Sequence, residues 1–108
     1  MASRDETGTF LERLRQARAA SAVRITWKAD DEIAEIGWSR RDALDQLAAL
    51  TEEDLLRTEP ANHADFETIW VFCPLAPELD RHLWIRLAER EHHTLLVSFH
   101  LAEGDPWT

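Results

Sequence analysis

The chain has 108 residues, 44% of them hydrophobic and 31% charged, an ordinary globular composition that excludes a disordered chain and leaves no room for a second core. The formal net charge is −9, unevenly spread: eight Lys/Arg stand against seven Asp/Glu in residues 1–41, but four against fourteen in residues 42–108. Such acidity argues against gripping double-stranded DNA through many phosphates, yet leaves room for a small site with two or three local cations. It also suits a partner with a basic surface. No run approaches the roughly 18 apolar residues of a membrane span. The polar start, Met1 to Thr9, shows no secretory signal. Cys73 is the single cysteine, so no internal disulfide forms, and a reducing compartment, the cytoplasm, is the expected location.

One domain, 1–108, is expected, with about 1–8 and 104–108 flexible. Thr9 followed by Glu12 reads as a capping box opening a helix to about Ala20, with Phe10, Leu11, Leu14 and Ala17 inward. Val23–Trp27 is β-branched enough for a strand or an extended crossing. Ala29 to Ile36 makes a short acidic helix that Gly37 terminates. Ser39 with Asp42 repeats the capping signature and starts a helix to about Leu50; Thr51 with Asp54 gives a third, near 52–57, ending before Pro60. Residues 61–66 read as a polar loop. From Thr68 the pattern turns to sheet: a strand to Cys73, a connection 75–81, then strands His82–Ala88 and Thr94–Leu101 around a hairpin turn. Helices first and strands second predict an α+β domain, with N-terminal helices packed on an antiparallel sheet from the C-terminal half.

The hairpin alternates. Leu83, Ile85 and Leu87 line one side of its first strand, and Leu95, Val97, Phe99 and Leu101 one side of its second. Both apolar rows must face the core, because a one-residue slip would put a whole row in water. The opposite face then carries His82, Trp84 and Arg86 with Leu96, Ser98 and His100. A ring to stack a base, a cation for a phosphate and an imidazole to move a proton suit RNA. The plainer reading of the same pattern is a solvated sheet face.

Other candidates carry less. His92 and His93 lack the spacing of a strand-borne zinc site. Cys73 has no positioned base nearby in sequence and reads as a small core residue. Glu52, Glu53 and Asp54 complement a helix dipole. Asp30, Asp31, Glu32 and Glu35 read as a solvated or partner-facing helix surface. With glycines only at 8, 37 and 104, there is no phosphate-cradling loop, and neither a cofactor nor a metal is expected.

Three stretches resemble the MqsR toxin family. They are Ala34-Glu35-Ile36-Gly37-Trp38-Ser39-Arg40-Arg41-Asp42-Ala43-Leu44, then Leu50-Thr51-Glu52-Glu53-Asp54-Leu55-Leu56-Arg57. The third runs from Thr68-Ile69-Trp70 through Leu83-Trp84-Ile85-Arg86-Leu87 to Leu96-Val97-Ser98-Phe99-His100. Their order and spacing cover roughly residues 10–103. The resemblance implies a RelE-like fold and a metal-independent endoribonuclease, the toxin of a bacterial toxin–antitoxin pair, neutralised by a protein antitoxin. The family's catalytic lysine, glutamine, tyrosine and second lysine correspond here to Arg57, Val71, Trp84 and His100. Arg57 keeps the cation and His100 keeps a proton-transfer group; Trp84 stacks but donates no phenolic proton, and Val71 does no polar chemistry.

The expected mechanism has His100 assisting attack of a ribose 2′-hydroxyl on its own phosphate, as base or as acid. Arg57 and Arg86 hold the phosphate, and Trp84, His82 and Ser98 contact RNA. Two rival classes stay open: a noncatalytic protein- or RNA-binding module on the same scaffold, and an interaction subunit whose acidic surface meets a basic protein.

Overall fold

The computed structural model describes residues 2–60, 68–90 and 93–108. The expected loop at 61–66 and half of the His92–His93 pair therefore lie outside the described residues.

Helix α1 (Arg4–Ala19) starts five residues before the expected Thr9. The capping box belongs to Ser3 and Glu6: the Ser3 hydroxyl accepts the Glu6 N–H at 3.1 Å, and the Glu6 carboxylate accepts the Ser3 N–H at 3.3 Å. Thr9 sits mid-helix, its hydroxyl donating to the Asp5 carbonyl. Strand β1 (Val23–Ile25) leads into α2 (Trp27–Ile36), where Thr26 is the N-cap and Gly37, at φ 89°, takes the left-handed position that a helix C-terminus favours for glycine. Helix α3 (Arg40–Ala48) carries the expected Ser39/Asp42 box.

The Thr51/Asp54 signature also closes, with the Asp54 carboxylate accepting the Thr51 N–H at 2.9 Å, but it makes only one 3₁₀ turn, Glu52–Asp54. The expected helix to residue 57 is replaced by β2 (Leu55–Pro60). Sheet bonding takes over here: the Asp54 carbonyl accepts the Cys73 N–H at 2.8 Å, and Leu55 pairs with Phe72. Then follow β3 (Thr68–Phe72), a two-residue β4 (Leu75–Ala76) inside the expected connection, β5 (Arg81–Glu89) and β6 (Thr94–Leu101).

Among the described residues the strand order is β1-β6-β5-β3-β2, with β4 pairing the start of β5. Every pair along it is antiparallel except β1 with β6, which is parallel. The protein is thus α+β with a mixed sheet, not the purely antiparallel one expected. The first strand lies among the helices in sequence, and a connection through α2 and α3 separates it from the rest, so its direction is not set by a hairpin.

All three helices press on one face. Phe10 of α1 stacks on Trp70 (centroids 4.4 Å apart, planes 12° off parallel) and sits 6.0 Å from Phe72; Ile33 of α2 and Leu47 of α3 join Leu83, Ile85, Leu87, Leu96 and Phe99 in the same core. The other face holds a smaller apolar cluster of Ile69, Val71, Cys73 and Ala88, flanked by Leu56, Trp84, Leu95 and Val97. The alternation expected of β6 fails in its first half. Leu96 faces the main core while Leu95 and Val97 face the opposite side, because a bulge interrupts the β5–β6 register between Arg86 and Leu87.

Truncating the central ring tests this core. Phe10→Ala removes both ring contacts and should cost about 3–5 kcal/mol in denaturant unfolding; a loss below about 1 kcal/mol would place the α1 anchor elsewhere. A second expectation concerns acid. The Arg40 hydrogen bond holds Asp30 below its ordinary carboxyl range, the Ser39 backbone N–H does the same for Asp42, and Glu53 is held low by its own backbone N–H and by Arg4. Groups depressed on folding stabilise above their unfolded values, near 3.8 for aspartate and 4.5 for glutamate, and lose that stabilisation as pH falls through the lower folded values. Combining Asp30→Asn, Asp42→Asn and Glu53→Gln should lower the urea midpoint at pH 7, and the gap to wild type should close as the pH falls through the folded values. A gap that stays constant would remove these carboxylates from acid unfolding.

Candidate functional site

The sheet face away from the helices gathers most of the polar residues singled out from the sequence. Strand pairing sets Trp84 opposite His100 and Arg86 opposite Ser98, so all four share a face. Arg86 also pairs with Val71, which pairs with Arg57 of β2; three strands therefore carry Arg57, Val71 and Arg86 at one level. Arg57 reaches across Val71 until its guanidinium carbon lies 5.3 Å from the centroid of the Trp84 ring, a cation–π contact. His82 belongs to the same row of β5 but stands two residues beyond Trp84, opposite Leu75 of β4 and away from the arginines. Of the six residues expected at the site, the fold brings five together and leaves His82 at the margin.

Two carboxylates that sequence reasoning did not place here complete the arrangement. Glu59 of β2 bridges the arginines: one oxygen lies 2.7 Å from Arg86 Nη2, the other 3.2 Å from Arg57 Nε. Its spacing from Arg57, two residues along a strand, puts both on one face, a signal visible only once residues 55–60 are read as a strand. Arg86 Nε is buried without a hydrogen-bond partner, a donor left over in the middle of the face.

The second carboxylate is Glu32, which was expected on a solvated or partner-facing helix surface and is instead a tie between helix and sheet. Strand β1 covers β6 only at residues 94–96, so the rest of that edge would show bare backbone groups. The start of α2 covers it. Thr26 N–H donates to the Leu96 carbonyl, the Thr26 hydroxyl donates to the Val97 carbonyl, and Glu32 Oε1 accepts the Phe99 N–H at 3.1 Å. Glu32 Oε2 then lies 3.3 Å from Lys28 Nζ and 4.0 Å from His100 Nε2, while Lys28 Nζ donates to the buried Ser98 hydroxyl at 2.9 Å. His100 Nδ1 is 2.9 Å from the Leu101 carbonyl. A carbonyl only accepts, so Nδ1 carries the hydrogen and Nε2 is the nitrogen available to a ligand.

Beside His100 a groove of about 310 Å³ opens between Trp84 and the terminal segment, lined by Leu101, Ala102, Glu103 and Pro106. The end of the chain is anchored nearby, with the Trp107 indole donating to the Cys73 carbonyl at 3.1 Å. A wider hollow along α1, about 650 Å³, is walled by charges such as Arg4, Glu12, Arg13 and Glu52 and gathers neither a ring nor an imidazole. Among the described residues no cluster of His, Cys, Asp and Glu has the makings of a metal site.

The face can hold an anion between Arg57 and Arg86, stack a planar ring on Trp84 and exchange a proton at His100 Nε2. Cys73 takes no part in this chemistry. It is buried at a strand end, and burial pushes its thiol up to about 11, against a smaller opposing pull from Arg57. No protein-family model and no curated protein matches the chain.

Thiol chemistry gives a direct check. At pH 8 a thiol with a pKa of about 11 is ionised in roughly one molecule per thousand. Cys73 should therefore resist iodoacetamide in the native protein and react at the rate of free cysteine only in denaturant. Alkylation of the folded protein at the unfolded rate would instead make Cys73 a reactive group.

Proposed function

We propose that this chain is a metal-independent endoribonuclease, the toxin of a bacterial toxin–antitoxin pair, acting in the cytoplasm and neutralised by a protein antitoxin, as its resemblance to the MqsR toxins implies. The observation that carries the reading is the convergence of Arg57 and Arg86 on one carboxylate, beside Trp84, whose strand partner is His100. Two guanidiniums that share one carboxylate at hydrogen-bond distance are spaced to share the oxygens of one phosphodiester.

Each residue then has a task. Arg57 and Arg86 hold the phosphate and offset charge that develops on its oxygens during attack by the 2′-hydroxyl. Trp84 offers its ring to a neighbouring base, which favours single-stranded RNA over a closed duplex. His100 moves a proton. Ser98, held by Lys28, fixes the level of β6 beside Arg86, and His82 extends the row for a flanking nucleotide. The products are a 2′,3′-cyclic phosphate and a 5′-hydroxyl. The chemistry needs only side chains already on the sheet, so EDTA is expected to leave cleavage unchanged.

Inducing wild type and His100→Ala in cells and mapping RNA 5′ ends tests the reading. Wild type should produce new 5′-hydroxyl ends, and His100→Ala should lose them by about 10²–10⁴-fold in rate. In binding assays His100→Ala should hold RNA nearly as well as wild type, whereas Arg86→Ala should weaken both binding and cleavage. Purified protein that cuts no RNA, with or without ribosomes, would leave the noncatalytic binding module as the surviving account.

A further inference from the structure

Glu59 occupies the place a phosphate needs. Its two oxygens take one guanidinium each, and its side chain is only 25% exposed, so it is held against the sheet and not extended into solvent. A phosphodiester entering between Arg57 and Arg86 would displace the carboxylate from its partners without removing it from their side, because Glu59 is fixed to β2 by pairing with Ile69. The displaced carboxylate is then an acceptor in contact with the bound nucleotide.

Sheet order supplies the second half of the argument. His100 lies on β6 and Glu59 on β2, with the strands bearing Arg86 and Val71 between them. In-line attack on phosphorus requires the base and the acid to act from opposite sides of the reacting centre. Glu32 and Glu103, which flank His100, fail this requirement: both lie on the His100 side, and one oxygen of Glu32 is committed to the Phe99 N–H. The same Glu32 gives a proton on His100 Nε2 an acceptor to point at when the site is empty.

Resting on the ribonuclease reading above, we propose that Glu59 is the general base of the cleavage and His100 its general acid. The 2′-hydroxyl passes its proton to a Glu59 oxygen as the O2′–P bond forms. The P–O5′ bond breaks, and O5′ takes the proton from His100 Nε2. Arg57 and Arg86 hold the non-bridging oxygens throughout. The step leaves Glu59 protonated and His100 neutral, and exchange with water resets both.

Glu59→Gln keeps the size of the side chain and one oxygen acceptor for the arginines while removing the base. Cleavage by Glu59→Gln should fall about 10²–10⁴-fold in kcat. Affinity for the same single-stranded RNA with every 2′-hydroxyl methylated, which cannot be cut, should stay equal or rise, because an anion competing for the arginines is gone. RNA carrying a sulfur in place of the bridging O5′ separates the two roles: the thiolate leaves without a proton, so His100→Ala should recover on this substrate and Glu59→Gln should not. Equal urea midpoints for Glu59→Gln and wild type would show that the fold is intact; if the midpoint falls, the methylated RNA still decides, since a merely loosened site would bind it more weakly than wild type, which would overturn the assignment, whereas loss of the base alone leaves that affinity equal or higher. Cleavage by Glu59→Gln within about threefold of wild type, with His100→Ala inactive, would overturn this assignment and leave the ribonuclease reading standing. A wild type that cuts nothing would overturn both.

Discussion

Trp84 pairs with His100, Ile85 with Phe99 and Arg86 with Ser98; one step further, Leu87 pairs with Leu96, and Val97 is left over. That single extra residue sets the phase of both faces of the sheet. Leu96 and Phe99 both point into the main core although they stand an odd number of positions apart, which a regular strand does not allow. A regular β6 in phase with Phe99 would expel Leu96 into the open face and force Leu95 and Val97 under the helices. Each such exchange of a buried aliphatic side chain carries about 1.5–3 kcal/mol. The bulge thus fills the core and, in the same stroke, sets Ser98 beside Arg86 and His100 beside Trp84.

The edge of β6 couples this ladder to the helices. The parallel strand β1 is three residues long and stops where the bulge begins, so the chain turns into α2 with half of the edge uncovered. Thr26 serves two structures at once: its hydroxyl oxygen accepts the Ala29 N–H to cap the helix and donates to the Val97 carbonyl to close the sheet. Further along the helix Glu32 takes the Phe99 N–H. Glu32, one of the two side chains that protect the edge, also faces His100 and pairs with the Lys28 that donates to Ser98, so any movement of α2 would be felt at the imidazole.

The local part of this structure was legible in the sequence. Ser39 lies next to the amide it caps and Gly37 next to the carbonyls it releases, so the start of α3 and the end of α2 followed from spacing, and the rows of β5 followed from alternation; the Thr26 cap lay inside a segment read as extended. Thr51 with Asp54 shows the limit. The box forms, but a capping box says only where a turn starts, and the strand bonds that β3 offers to Asp54 and Leu55 end it after one turn. With that segment read as a helix, Arg57 and Glu59 fall on different sides, and the carboxylate between the arginines is out of sight. The parallel pairing of β1 and the bulge at Val97 were equally hidden, because both depend on partners far along the chain or on the packing volume under the helices. Trp84, Arg86, Ser98 and His100 were still placed together correctly, since they lie on the same side of the bulge, where strict alternation holds.

On the proposed ribonuclease reading, charge sets how selective the open face is. The chain as a whole is strongly acidic, and residues 42–108 hold four Lys/Arg against fourteen Asp/Glu, two of the four being Arg57 and Arg86. A long polyanion approaching the rest of this surface meets repulsion, so the attraction must be local. Within the face each cation already has an acidic neighbour: Glu59 for the two arginines and Glu32 for Lys28. A phosphate therefore gains little by charge alone, because it exchanges with a carboxylate and does not add to a bare cation. On the proposed reading, a nucleotide differs from any other anion in bringing a ring for Trp84 along with its phosphate, and the two contacts would be made together only when the base is free to leave its stack. Under that proposal the counter-ions would act as a filter: they offset the generic pull of the arginines and would leave the geometry of ring and phosphate to decide what binds.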